Sequence, residues 1–294
     1  MKRILIDVGS STVKVYKLDD EILSLVLQKS IPFKNGFDNQ KGLSEQSKKE
    51  LFNLLNIIKI ENHQTPISIY ATALFRKLLP EPQKNFVNEV LKLTGLHFNI
   101  ISQELESHYL EKALLDKCFL SDQILIINIG GGSTELIIVN NKQVVDRYNI
   151  DFGVSTVINN FPGINESISA VDIDTVINYV KNLLPYIKTN PQIAFYTGGE
   201  LNYMILTKYT LTTNTLFQDN DHPFMIGLKE FQIKNEAIYK EITLKELEEL
   251  MPENPKWMCG ARTCSAIAQA ICEKYNIITI IPSDSNIING VVRE

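Results

Sequence analysis

The sequence predicts an α/β protein built from two similar lobes. Strand-like and helix-like apolar patterns alternate through most of the chain, which favours α/β layers over all-α or all-β ones. The chain has 294 residues, and single cores seldom grow beyond about 250–300 residues, so two domains are the better expectation. One stretch also occurs twice. Ile4-Leu5-Ile6-Asp7-Val8-Gly9-Ser10-Ser11-Thr12 aligns without gaps to Leu125-Ile126-Ile127-Asn128-Ile129-Gly130-Gly131-Gly132-Ser133. Each copy reads as an apolar strand, a polar residue, another apolar residue, a Gly/Ser turn and a second strand. The offset of about 120 residues is too long for a stacked repeat and suits duplicated halves facing each other. The expected division is 1–120 and 121–294.

Element by element, Arg3–Val8 and Thr12–Leu18 read as strands around a Gly-Ser-Ser turn. Leu51, Leu54, Leu55 and Ile58 repeat at helical spacing within Ser44–Ile60, and Ile67–Ala71 is a short buried strand. Pro82–Leu93 is a helix closed by Gly95; Phe98–Ile101 is a strand, and Ser102 caps a helix running to about Leu115. In the second half, Asp122–Asn128 and Glu135–Val139 are strands around Gly130–Gly132, and Asn140-Asn141 turns the chain into Val144–Tyr148. Asp174–Ile187 is an amphipathic helix, Ile193–Tyr196 a strand, and Gly198-Gly199 a tight turn into another helix. Thr243 and Glu246 have capping-box spacing at the head of Thr243–Leu250. Gly260–Tyr275 reads as a buried helix and Ile277–Ile281 as a last strand, while no pattern assigns 219–240.

Composition narrows the function. Hydrophobic residues make up 44% and charged residues 21%, an ordinary globular balance. A net charge of −5 argues against a broad grip on a nucleic acid polymer, which needs a basic stripe. A small anion stays open, because backbone N–H groups hold phosphate without net positive charge. The opening Met1–Asp7 meets a carboxylate too early for a secretory signal, and no apolar run nears the roughly 20 residues of a membrane span. A cytoplasmic protein without a membrane partner is the expectation. Cys118, Cys259, Cys264 and Cys272 are too few and too uneven for a disulfide framework, so buried reduced thiols are expected.

The two glycine turns carry the chemistry. Glycine lets a ligand approach the backbone closely and permits φ > 0. Consecutive N–H groups in such a turn converge on an anion, with serine and threonine hydroxyls beside them. Gly9-Ser10-Ser11 read alone is as easily a plain hairpin turn. Gly130-Gly131-Gly132-Ser133-Thr134 is harder to explain so, because three adjacent glycines weaken a strand connection unless something must come close.

Asp7-Val8-Gly9-Ser10-Ser11 resembles the first phosphate loop of the exopolyphosphatase/guanosine pentaphosphate phosphohydrolase (Ppx/GppA) family. Asn128-Ile129-Gly130-Gly131-Gly132-Ser133-Thr134-Glu135 resembles its most specific motif, Asp-Ile-Gly-Gly-Gly-Ser-Thr-Glu. Weaker likenesses follow in the family's order. Ala71–Arg76 resembles the segment ending in a phosphate-binding arginine, Ile101–Glu106 the one with the catalytic glutamate, and Tyr196–Glu200 the later Gly198-Gly199 turn. The resemblance is good over residues 1–210 and thin afterwards. It implies two actin-like (ribonuclease H-like) α/β lobes with mixed sheets and an interlobe cleft, in a short form without an extra helical domain.

The resemblance further implies release of the terminal phosphate from inorganic polyphosphate or a phosphorylated guanine nucleotide. Such hydrolysis needs an oriented water, neutralised phosphoryl charge and a stabilised leaving group. Glu106 would orient or deprotonate the water, with Glu104 its competitor, and Arg76 would hold phosphate oxygens in its rigid fork. Mg2+ would sit at Asp7, Glu135 and Asn128, and the resemblance leaves K+ open as a further cation without assigning it a site. Asn128 departs from the family's aspartate and removes a charge; Leu105, Ser107, His108 and Asn289 are further departures. A sensor or regulator that binds such ligands without turnover is therefore the alternative. An ATP-dependent kinase of the same fold is a third, without sequence signal for an adenosine pocket. The sequence permits a homodimer.

Overall fold

The computed structural model describes residues 2–115, 123–217 and 219–294. Two compact units emerge: Met1–Leu110 together with Ile287–Glu294, and Glu111–Asn286. The chain thus leaves the first unit once and returns to it in its last residues, where the sequence suggested a single division after 120.

The first unit contains β1 (Lys2–Val8), β2 (Thr12–Asp19), β3 (Ile22–Ser30), α1 (Glu45–Glu61), β4 (Ile67–Ala71), α2 (Ala73–Arg76), α3 (Pro80–Thr94), β5 (Phe98–Ile100) and α4 (Gln103–Leu115), whose last turn belongs to the second unit. Its sheet runs β3-β2-β1-β4-β5, antiparallel across β1–β2–β3 and parallel across β1–β4–β5. Alternation sorts the faces of β1. Ile4, Ile6 and Val8 enter a core with α1, α3 and a phenylalanine cluster. In that cluster Phe75 meets Phe33, Phe86 and Phe98 at ring distances of 5.5, 5.6 and 5.1 Å. Leu5 turns to the other face and packs with Tyr16, Ile101, Tyr109, Ile287 and Ile288. Asp7 shares that parity.

Strand β3 carries no sequence signal. Its Ile22, Leu25 and Val26 are exposed at the sheet edge, and an irregularity opposite Val15/Tyr16 leaves Val26 without a register partner. A bulge and an unburied face erase the alternation that marks a strand.

The second unit contains β6 (Ile124–Ile129), β7 (Thr134–Asn140), β8 (Gln143–Ile150), α5 (Val154–Asn160), a 3-10 turn (Pro162–Asn165), α6 (Ile173–Leu183), β9 (Ile193–Thr197), α7 (Glu200–Leu206), β10 (Thr212–Thr213), β11 (Phe224–Gly227), α8 (Leu228–Lys240), α9 (Leu244–Glu249), α10 (Pro255–Met258), α11 (Ala261–Lys274) and β12 (Thr279–Ser283). Then α12 (Ile287–Val292) rejoins the first unit. The sheet order is β10-β11-β12-β9-β6-β7-β8. Its portion β8-β7-β6-β9-β12 repeats the order and strand directions of β3-β2-β1-β4-β5. The duplicated segment of sequence is thus the first hairpin of two copies of one sheet plan.

Several expected boundaries shift. The helix predicted to Ile187 ends at Leu183, where Leu184 turns extended. The last strand starts at Thr279, because the Ile277 N–H closes the preceding helix on Cys272 O. The unassigned stretch 219–240 supplies β11 and α8. Cys118 and Asp122 lie outside the described residues; Cys259, Cys264 and Cys272 are free thiols, the last two buried. Among the described residues no helix is long and apolar enough to cross a membrane.

Candidate functional site

In the first unit, the Gly9 N–H donates to the Thr12 carbonyl at 2.9 Å and closes the turn between β1 and β2. In the second, the Gly130 N–H donates to the Ser133 carbonyl at 2.8 Å in the aligned positions between β6 and β7. The duplication therefore reaches down to one hydrogen bond. Neither turn uses the positive-φ backbone that glycine adopts most readily; Gly198 (φ 128°) and Gly199 (φ 118°) do. Space explains Gly130, where a Cβ would meet Ser133 O at 3.2 Å, while at Gly9 it would meet Thr12 O at an ordinary 3.4 Å.

Around the Gly9–Thr12 turn the first unit gathers three of the expected residues. The Thr72 N–H donates to Val8 O at 3.2 Å, so β4 ends beside the turn and delivers α2 with Arg76. Phe75, wholly buried, anchors that short helix. Ser102 caps α4 as expected, accepting from Leu105 N–H at 3.2 Å. Glu106, one turn in, is buried at 9% exposure, while Glu104 is exposed and Ser10 and Ser11 are half-buried.

Arg76 Nη1 donates to Glu106 Oε2 at 2.6 Å and to Ile101 O at 3.2 Å. Burial raises the Glu106 carboxyl above its ordinary range, and Arg76 partly offsets this by charge and hydrogen bond. Asp7 keeps some solvent contact at its surface, yet protein surrounds its carboxyl. Burial pushes it up to about 7, opposed by Lys14, its register partner across the hairpin, and helped by Glu106. An acid, a base candidate and a guanidinium thus share one corner of the unit.

In the second unit Asn128 and Glu135 face each other in the β6–β7 register, and Asn128 Nδ2 donates to Glu135 Oε2 at 2.9 Å. Glu135 and Glu200 are buried, and a Cβ on Gly198 would stand 3.9 Å from both Asn128 Oδ1 and Glu200 Oε1. Thr134 is fully buried and its hydroxyl donates to Phe152 O at 2.9 Å, so it braces the loop and has no proton left for a ligand. Ser133 is buried.

Two supports escaped the sequence reading. Gly153 lies under the triple-glycine loop, where a Cβ would fall 2.3 Å from Gly130 O. The next two N–H groups, of Val154 and Ser155, donate to Gly130 O and Gly131 O at 3.1 and 2.8 Å. The second support is His222, whose Nδ1 lies 2.7 Å from Asp219 Oδ2 and whose Nε2 lies 2.9 Å from Ser283 Oγ. Ser283 is wholly buried, which rules out a nucleophilic relay in this conformation; its carbonyl instead accepts from Gly199 N–H at 3.5 Å. His222 braces the Gly198-Gly199 turn, and it fell within the unassigned stretch.

For a cation, no group of three His, Cys, Asp or Glu side chains that could hold one exists among the described residues. Asn128 occupies one oxygen of Glu135. Mg2+, however, usually takes one or two carboxylates and completes its shell with phosphate oxygens and water. The half-buried Asp7 carboxylate is a hard oxygen donor of that kind, so the residues fit an ion carried mainly by its ligand's phosphates.

Comparison with known proteins agrees. The family model described as the Ppx/GppA phosphatase family matches residues 25–253. A Ppx/GppA family member from Aquifex aeolicus is 19% identical with a TM-score of 0.74, covering 100% of this chain and 96% of that one. An exopolyphosphatase from Cytophaga hutchinsonii is 13% identical with a TM-score of 0.79, covering 99% and 96%. At these identities the structures speak for the fold, two actin-like α/β units, and the family model for descent. The chain belongs to the Ppx/GppA phosphatase family.

Proposed function

We propose that the protein is a phosphohydrolase that removes the terminal phosphate of inorganic polyphosphate or of a phosphorylated guanine nucleotide. The observation that carries this reading is the part-buried Arg76–Glu106 contact of 2.6 Å beside the Gly9–Thr12 turn. Arg76 offers its fork to two oxygens of the phosphoryl being transferred. An anion there draws the guanidinium away from Glu106 and leaves its carboxylate open to a water. The water oxygen then bonds to the terminal phosphorus, its proton passes to Glu106, and the bridging P–O bond breaks with the electron pair leaving on the shortened phosphate chain. Burial strengthens Glu106 as a base by raising its proton affinity, so activity should rise with pH through a value above the ordinary glutamate range.

Gly9, Ser10 and Ser11 are proposed to cradle phosphate in the first unit, and Gly130, Gly131, Gly132 and Ser133 in the second. Asp7 would hold Mg2+, which supplies charge neutralisation when bound. The Asn128–Glu135 bond favours a second reading, ligand binding without turnover, because the amide neutralises a position where the family carries a second acid. Phosphate release from polyphosphate and guanosine pentaphosphate in Mg2+ separates the two. Wild-type release falling by about 10²–10⁴-fold in Glu106→Gln supports hydrolysis. Tight binding with no release, and release switched on by Asn128→Asp, supports the sensor. Release indifferent to Glu106 overturns the mechanism.

A further inference from the structure

Strand β3 closes one side of the first sheet, with one edge bonded to β2 and no strand beyond the other. It is nine residues long, about 30 Å at the usual rise per residue. Long open edges pair with strands of other chains unless charge, proline or shortness blunts them. In β3 only Lys29 is charged, and no proline is present. Ile22, Leu25, Val26 and Leu27 are 71, 51, 54 and 39% exposed.

The other sheet ends are built differently. β8 holds the matching place in the second copy of the sheet plan, and its middle is Asp146-Arg147. Arg147 Nε donates to Glu111 Oε1 at 3.0 Å, and Tyr148 OH donates to Asp146 Oδ2 at 2.6 Å, so that edge is charged and engaged within its own unit. β5 and β10 are three and two residues long. Of the two equivalent long edges, one is blunted and one is apolar.

The apolar side chains also say what kind of partner fits. In the β2 register Leu25 stands opposite Tyr16 and Leu27 opposite Val15, and adjacent residues of β2 point to opposite faces. Apolar groups therefore flank the open edge on both faces of the sheet. A helix or a lipid surface would cover one face; a strand that continues the sheet covers both and pairs the backbone as well. Charge selects the strand. Exposed Glu21 stands immediately before β3 and exposed Lys29 near its end. Two copies running antiparallel set the Glu21 end of each against the Lys29 end of the other, whereas parallel copies would set like charges together. A twofold axis between them closes the pair.

We infer that β3 is an interface between two copies of this chain, which join edge to edge as antiparallel strands and make one continuous sheet of two five-stranded ones.

Sedimentation velocity of the full chain tests it from about 1 to about 100 µM, the range in which interfaces at the small end of the usual size are half-formed. Wild type should pass from monomer to dimer, and hydrogen exchange should show amide protection in 22–30 rising with concentration while 143–150 stays constant. Val26→Lys, at a position without a β2 register partner, should weaken association about tenfold or more. Lys29→Glu should weaken it about threefold or more, and Glu21→Lys/Lys29→Glu should restore it to within about twofold of wild type. Val145→Lys on β8 should leave it unchanged. Far-ultraviolet dichroism and melting check that each variant is folded. A wild type that stays monomeric throughout overturns the inference, as does a dimer indifferent to Val26→Lys or one weakened equally by Val145→Lys. A charge swap that fails to restore association overturns the antiparallel arrangement.

Discussion

Asp7 stands two residues before the Gly9–Thr12 turn and keeps its proton to about pH 7, because protein around it penalises the charged form. An unfolded aspartate releases its proton near 4. Between those values the folded chain binds a proton that the unfolded chain has lost, so this group's contribution to stability falls as pH rises from about 4 to about 7 and levels off above. Asp7→Asn should therefore stabilise the protein more at pH 8 than at pH 4.5, as read from urea midpoints at the two values. Equal midpoint gains at both pH values would show that Asp7 is not desolvated. Glu106, shifted in the same direction by burial, keeps part of the slope in that variant. None of this was legible from the residue alone. The motif singled out Asp7, but its desolvation arises from α4 and the end of β1 meeting in space.

At the scale of elements, the sequence was readable wherever a pattern is local. The Ser102 cap, the Gly95 stop in left-handed backbone and the Thr243–Glu246 box all formed as their spacing predicted. Elements whose reason is distant were unreadable. The short α5 exists because its first N–H groups complete the triple-glycine loop, and Gly153 is glycine because a backbone carbonyl lies against it. Its φ of −159° is ordinary extended backbone, so crowding alone excludes a side chain. Gly153→Ala should push the loop or α5 aside, costing about 1–3 kcal/mol. Phosphate-chain affinity should fall about tenfold or more with it, since cradles lose strength when their N–H groups diverge. Urea unfolding and calorimetry measure the two. Gly9→Ala is the matched comparison, because its Cβ has ordinary room and the hairpin should keep wild-type stability within about 1 kcal/mol. A Gly153 variant as stable and as tight-binding as wild type would detach α5 from the loop's function.

Across the whole molecule, one sheet plan is used twice, and the ungapped Ile4–Thr12/Leu125–Ser133 match disclosed it because both turns close with the same hydrogen bond. The return of the last residues to the first unit left no such trace, since six residues of helix carry too little periodicity. Its physical basis is Gly290, packed so closely on α4 that a Cβ would fall 1.7 Å from Tyr109 O. Ile287 and Ile288 are buried there against Leu5, Tyr16 and Ile101, which covers the β1 face that Asp7 shares. Burying two such side chains contributes about 3–6 kcal/mol. The second unit is therefore inserted between two parts of the first, which is completed by residues 287–294. A chain ending at Asn286 should lose amide protection in β1 and β4 while β6 and β9 keep theirs, as read by hydrogen exchange. Gly290→Leu, which retains the helix but forbids its approach, should give the same pattern. If β1 protection survives in both, α12 rests on the first unit without supporting it, and Glu106 must owe its position to Ser102 and the Arg76 contact alone.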